Sequence, residues 1–417
     1  MKLSPPRVIF VALLTGPSCA LASAAVDAGA GTPLFSFSAF GTLGEVHSSQ
    51  DMADFTDSVF QPNGAGYTHS WSATVDSLIG AQLTANILPT LSAVVQVIVE
   101  QNYDGTFRPH VEWANIKYQF TPDMSVRVGR SVLPTFLFSD TRNVGYTYPW
   151  VRPPVEVYSQ LPLTECDGVD FSARIRSGNL SNTLQGNVGQ SSVQQPQDKG
   201  TAYTRDAFGV SDTTEYEFFT LRLSYWHTHL IIAGVDPFLD TFRLFGLPGI
   251  VIANEYESDY KVVATEVIGA SYDPGHWFVM SEWAHTKFNS FLGDRRGWYV
   301  SGGYRAGQFT PYATYAEASA NSNSDPGLTL SALPSALVGF AAGLNVGLNA
   351  LLQQSIPEQK TLTAGARWDF MKNVDLKLQI DHTRAGAESF GTLVNVQPGL
   401  RPGSTVNLFS ATLNFVY

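Results

Sequence analysis

Two cysteines in 417 residues leave almost no material for a disulfide framework. Cys19 falls within an N-terminal export segment, so Cys166 is the only cysteine of the mature chain and no intrachain bridge can form. Long apolar runs are also missing. The stretch from Val8 to Leu14 is too short for a bilayer core of roughly 30 Å, which needs about 20 residues. The remainder reads as holding no longer charge-free apolar run, which leaves no transmembrane helix. Positive charge is in deficit: 25 Lys and Arg against 36 Asp and Glu give −11, or −13 once Lys2 and Arg7 are removed with the export segment. That balance argues against a nucleic-acid partner. A phosphate-cradling glycine loop, a zinc-spaced His and Cys set and a nucleophile elbow are absent in any convincing context, so no catalytic residue, metal ligand or cofactor is assigned. His47, His69, His110 and His285 lie in or beside expected external loops, where a metal or catalytic cluster would have to assemble in space.

Lys2 and Arg7 precede the apolar stretch, and Ala20, Ala22 and Ala24 offer A-x-A cleavage sites. Residues 1–24 therefore read as a secretory signal peptide and 25–417 as a single domain. Lipidation at Cys19 is disfavoured by the preceding Gly16, Pro17 and Ser18. At the other end, Phe409, Ala411, Leu413, Phe415 and Tyr417 alternate with Ser410, Thr412, Asn414 and Val416, and the terminus itself is aromatic. A period of two puts an apolar row on one face of a strand and a mostly polar row on the other. In hydrocarbon every backbone N–H and C=O needs an internal partner, so a helix-free chain that enters a membrane must close into a barrel. An apolar face against lipid then leaves the polar face lining a lumen, which implies passage rather than chemistry.

Alternating stretches of about ten residues recur between turn signals. Sixteen are expected, near 34–46, 74–86, 91–101, 110–120, 125–133, 168–177, 180–190, 203–213, 217–227, 260–272, 276–286, 297–306, 309–319, 360–370, 374–384 and 405–417. Connections after even-numbered stretches are tight, such as Leu88-Pro89-Thr90 and Met371-Lys372-Asn373, whereas those after odd-numbered stretches are longer. Outer-membrane barrels show that asymmetry between periplasmic turns and extracellular loops. The expected fold is all-β: a transmembrane antiparallel up-and-down barrel of sixteen strands. Tyr118, Phe120, Trp277, Phe370, Phe415 and Tyr417 gather beside the short turns, as one half of an aromatic girdle would. Segment 334–352 alternates like a strand, which would support eighteen strands. Leu344, Leu348 and Leu351 also form a helical stripe, and a short helix in the seventh external loop is the expected form.

Strand parity sets the lumen. Arg127, Arg174, Arg176, Arg222 and Arg367 each alternate with apolar neighbours and are expected to point inward, with Arg305 and Lys117 as further basic members. A charge on the lipid face costs about 2–4 kcal/mol at the midplane, which favours that assignment. Asp76, Glu100, Asp170, Asp369, Asp375 and Asp381 share the same faces.

The stretches Gln61-Pro62-Asn63-Gly64-Ala65-Gly66-Tyr67, Pro109 to Arg130 and Trp150 to Tyr158, together with the aromatic terminus, resemble the trimeric general porins of Gram-negative outer membranes. The resemblance covers nearly the whole mature chain. It implies a homotrimer in contact with outer-membrane lipid and lipopolysaccharide, passing small hydrophilic solutes. It also implies a third external loop, here about 134–167, that folds inward with its carboxylates facing a basic wall. That loop would present Asp140, Glu156, Glu165 and Asp167, stiffened by Pro153 and Pro154. Aromatic residues Tyr146, Tyr148, Trp150 and Tyr158 read as packing groups of that loop rather than as a sugar slide.

Overall fold

The computed structural model describes residues 33–196, 200–232, 234–321, 324–355 and 357–417. The expected signal peptide and Cys19 lie outside them. Sixteen long antiparallel strands run in chain order: β1 (Phe35–Ser48), β2 (Leu78–Leu88), β3 (Leu91–Val99), β4 (His110–Thr121), β5 (Met124–Val132), β6 (Glu165–Ser177), β7 (Leu180–Gln194) and β8 (Thr201–Tyr216) form the first half. The second half comprises β9 (Phe219–Ile232), β10 (Lys261–Tyr272), β11 (Trp277–Phe288), β12 (Arg295–Tyr304), β13 (Phe309–Ala320), β14 (Gln359–Met371), β15 (Val374–Ala385) and β16 (Thr405–Val416). Each pairs with its sequence neighbours, and β1 pairs with both β2 and β16, with Phe40 opposite Val416, so the sheet has no free edge. One extra strand, Trp71–Ser72, adds to the extracellular end of β1.

Short connections follow the even strands and long ones the odd strands. The tight turns have local causes. Asn373, between β14 and β15, adopts φ 64°, a left-handed conformation its short polar side chain tolerates. Between β10 and β11 the Asp273 side chain accepts the Gly275 N–H at 3.0 Å, and Gly275 takes φ 102°.

Alternation fixes the two faces. On β15, Leu378, Ile380 and His382 are exposed outward while Asp375, Lys377, Gln379 and Asp381 are buried inward. On β16, Phe409 faces outward and Ser410, Thr412 and Asn414 inward. Tyr118, Phe120, Trp277, Phe370 and Tyr417 are exposed near the tight turns, with Tyr118 and Phe120 edge to face at 5.0 Å.

Among the described residues four α-helices sit in the connections: α1 (Val155–Tyr158), α2 (Asp236–Arg243), α3 (Leu247–Tyr256) and α4 (Ser335–Ser355). The stripe of Ala341, Leu344, Leu348 and Leu352 is buried, so segment 334–352 is helical and the barrel has sixteen long strands, not eighteen. This helix corrects one sequence expectation. At 21 residues with mean hydropathy 1.6, α4 is long and apolar enough by length and composition to cross a membrane. It joins β13 to β14, which pair directly with each other, so both its ends lie at one rim and it does not span. Helices α2 and α3 were not anticipated. They pack with α4 around Phe242, Ile252 and Leu348 in a cap of their own at the same rim.

Candidate functional site: a loop held across the lumen

The connection between β5 and β6 leaves the wall at Leu133 and lies inside the barrel, bonded to inward-facing side chains from many strands. Lys377 of β15 donates to the carbonyls of Gly145, Tyr148 and Trp150 at 2.5, 2.7 and 2.7 Å, which uses all three of its ammonium hydrogens. Arg367 of β14 donates to the Tyr146 carbonyl at 2.6 Å, lies over the Tyr146 ring, and is balanced by Asp369 and Asp375. The Trp150 indole N–H reaches Ser301 and Thr314 on β12 and β13 at 2.9 and 3.0 Å.

Arg152 points the other way and clamps Asp76 through two bonds of 2.7 and 2.6 Å, with Ser410 and Asp381 beside it. That fork ties the first and third external connections to β15 and β16. Helix α1 closes on β11–β14. Glu156 accepts from Gln359 at 2.7 Å and from Thr361, while Tyr158 and Tyr299 both donate to Glu282 at 2.7 and 2.9 Å. Burial holds the Glu156 carboxyl above its usual range, against the lowering effect of those hydrogen bonds.

Close packing makes this possible. A Cβ on Gly297 would stand 1.9 Å from the Glu156 carbonyl oxygen, so only glycine lets the helix approach the wall there. Gly297→Val is therefore expected to push α1 off β12 and raise single-channel conductance. Unchanged conductance in a correctly folded variant would count against this seating. Around the helix, Phe136, Tyr148, Trp150, Val157 and Tyr158 form an apolar cluster with Phe278, Met280, Tyr299 and Tyr312 of the wall. Part of the inner face is thus apolar because the loop covers it.

The expected site residues separate into five groups. Arg222 is buried on β9, bonded to the Phe136 carbonyl at 2.5 Å, and faces Asp140 at 3.8 Å. Asp140, on a 3-10 turn over Ser139–Thr141, remains partly exposed. Arg127 and Asp170 pair at 2.8 Å across β5 and β6, with Lys117 and Arg174 on the same wall. Glu156, Arg367 and Asp369 are bound beneath the loop.

Two basic members sit at the periplasmic rim: Arg176 pairs with Asp123 at 3.2 Å, and Arg305, one residue past β12, pairs with Asp273 at 2.6 Å. Two acids differ from expectation. Glu165 and Asp167 belong to β6, which begins three residues earlier than its apolar pattern suggested. Asp167 has the opposite parity to Asp170, and its outward carboxylate is compensated by a two-bond pair with Arg130 directly opposite.

Sequence reasoning missed Lys377 and Glu282. The parity of Lys377 with Asp375 and Asp381 was a usable signal; Glu282 lay in a strand with apolar residues on both faces and gave none. Of the histidines beside the loops, His47 stacks on Trp71 at 4.7 Å, and His110 lies between Glu100 and Glu112 at 3.7 and 3.8 Å.

No protein-family model matches this chain, and no curated protein matches it in sequence. Solved structures do match. The anion-selective porin from Comamonas acidovorans superposes with a TM-score of 0.53 at 10% identity, over 92% of this chain and 100% of the porin. OmpF of Salmonella typhi, solved with daunomycin, gives 0.52 at 11% identity over 92% and 97%. OmpT of Vibrio cholerae, described as an outer-membrane protein, gives 0.52 at 9% identity over 93% and 99%. The fold is that of the closed sixteen-stranded outer-membrane barrels. Within that class, its solved structural neighbours include porins.

Proposed function

We propose that the protein is an outer-membrane channel for passive diffusion of small hydrophilic solutes and ions, exported through a cleaved signal peptide. The observation that carries this reading is the polar inner wall with a bonded loop laid across it. Inward groups of β11, β12, β15 and β16 are almost fully covered, whereas Lys117, Arg127, Arg174, Asp140 and Arg142 keep partial exposure. Solutes would pass along β4–β6, opposite the loop's Asp140 edge. With acids and bases on facing sides, the passage would sort ions by sign only modestly. A homotrimer embedded in outer-membrane lipid and lipopolysaccharide follows from the resemblance to general porins, and no reaction is assigned.

Planar-bilayer recording of purified, unheated protein tests all of this together. Conductance steps in groups of three with a modest reversal potential are expected. Absence of steps, or hydrolysis of lipid or peptide by the protein, would overturn it.

The extracellular mouth adds a pH dependence. Glu100, in the second external connection, is pushed up to about 7 by burial and by Glu112, with His110 opposing. The carboxyl is therefore neutral below that pH and charged above it. Cation preference should rise with a midpoint near pH 7, and that step should shrink in Glu100→Gln, which leaves only the part due to His110, itself raised by its acidic neighbours. A reversal potential with the same pH profile in both proteins would disprove the assignment.

A further inference from the structure

We propose that Lys117, Arg127 and Arg174 form a transient binding step for hydrogen phosphate, on the periplasmic side of the loop. The proposal rests on the diffusion reading above and names a solute class for it. All three cations lie in the periplasmic parts of β4, β5 and β6, four residues or fewer from the tight-turn ends of their strands. Lys117 and Arg127 are directly opposite partners in the β4–β5 ladder, and Arg127 is opposite Asp170 in the β5–β6 ladder. Like charges directly opposite one another destabilise a sheet. Arg127 and Arg174 both act on the Lys117 ammonium electrostatically.

The nearby carboxylates leave donors over. Asp170 accepts from Arg127 Nε at 2.8 Å, and Arg127 Nη2 is buried without a hydrogen-bond partner. Arg174 spends Nε on Thr183 at 3.2 Å, and its Nη2 is likewise buried and unpartnered. Glu215 on β8 acts on Arg174 electrostatically, but among the described residues the two form no ion pair within 4 Å. The three cations thus face Asp170 and Glu215, with Asp140 of the loop acting on Arg127 electrostatically, and two guanidinium nitrogens lack an acceptor. The fork geometry of arginine matches the oxygens of phosphate and carboxylate groups.

Asp170 selects among oxyanions. Its Oδ2 is also buried and without a partner. A bare oxyanion would bring only acceptors to that oxygen, whereas hydrogen phosphate carries an O–H that can donate to it. The same carboxylate opposes tight binding, and a conducting path needs a site that a solute can leave.

Single-channel chloride current is the readout, with inorganic phosphate or sulfate added at matched ionic strength near pH 7. Phosphate is expected to block several-fold more effectively than sulfate. Lys117→Gln and Arg174→Gln, which both spare the Arg127–Asp170 pair, should each weaken phosphate block by roughly tenfold or more, the size expected for one lost hydrogen bond to a charged group. Equal block by phosphate and sulfate, or variants that respond like the parent, would overturn the proposal while leaving the diffusion reading intact. A complete absence of conductance would instead remove the diffusion reading. Calorimetric titration of the full-length protein in detergent with each anion then decides the subsite separately: heat with phosphate but not sulfate supports it, and no phosphate heat overturns it.

Discussion

Lys377→Met is expected to release the third external loop from the wall and raise single-channel conductance several-fold. The parent ammonium satisfies three loop carbonyls at once and stands in a charge set with Asp375, Asp369 and Arg367. Methionine keeps much of the volume and none of the donors. Removing one member of a compensated buried charge set costs about 3–5 kcal/mol, and an orphaned buried carbonyl costs about 1–3 kcal/mol. Trp150 and Arg152 remain to hold the loop, so the barrel itself should still close. Limited proteolysis should cut between residues 139 and 152 in the variant and spare the parent. If conductance and cleavage both match the parent, the lysine does not anchor the loop.

Ile380→Arg should impair membrane assembly of the whole barrel. Ile380 is 56% exposed on the outward face near the middle of β15, opposite Ala364 on one side and Phe409 on the other. An arginine at such a lipid-facing position costs about 2–4 kcal/mol. The expected result is a lower temperature for conversion of the folded, fast-migrating form to the unfolded form in detergent gels. His382→Arg, two residues nearer the extracellular end, should shift it less, because the cost falls toward the interface. Equal behaviour of the two variants would mean that β15 does not turn this face to hydrocarbon.

Two particular stretches show how far local pattern reaches. On β14, Leu362, Ala364, Ala366, Trp368 and Phe370 alternate with Thr363, Gly365, Arg367 and Asp369, and the strand, both faces and the Arg367 direction are all legible there. On β11, Phe278, Met280, Ala284 and Phe288 face inward while Trp277, Val279 and Trp283 face outward. Each row mixes apolar and polar residues, with Glu282 and Thr286 inward and Ser281, His285 and Lys287 outward, and parity alone could not say which side met lipid. The inward row carries apolar side chains because Tyr148, Trp150 and Tyr158 cover it, and those residues lie more than a hundred positions away.

Strand ends were read short where parity lapses. β7 and β8 run on to Gln194 and back from Thr201 through register shifts at Gly189/Ser191 and at Arg205/Phe208. A bulge places an extra residue in one strand and inverts the alternation beyond it, so the extracellular extensions lost their period-two signature. The early start of β6 has a different cause. Asp167 reads as lumen or loop by its charge, and only Arg130 directly across the ladder makes an outward carboxylate tolerable.

The sequence by itself determined the sixteen strands, their up-and-down order and the side on which the long loops emerge. Each of these follows from interactions between near neighbours: alternation along one strand, and tight turns that pair it with the next. Only the tertiary structure decided which part of the inner wall is covered, and hence that Lys377, Glu282 and Arg152 hold a loop while Lys117, Arg127 and Arg174 keep partial exposure. Trp150 meets Thr314 and Arg152 meets Ser410, 164 and 258 positions further along the chain. Contacts of that kind form only after the sheet has closed on itself and brought the far wall within reach of a loop whose own residues carry no record of it.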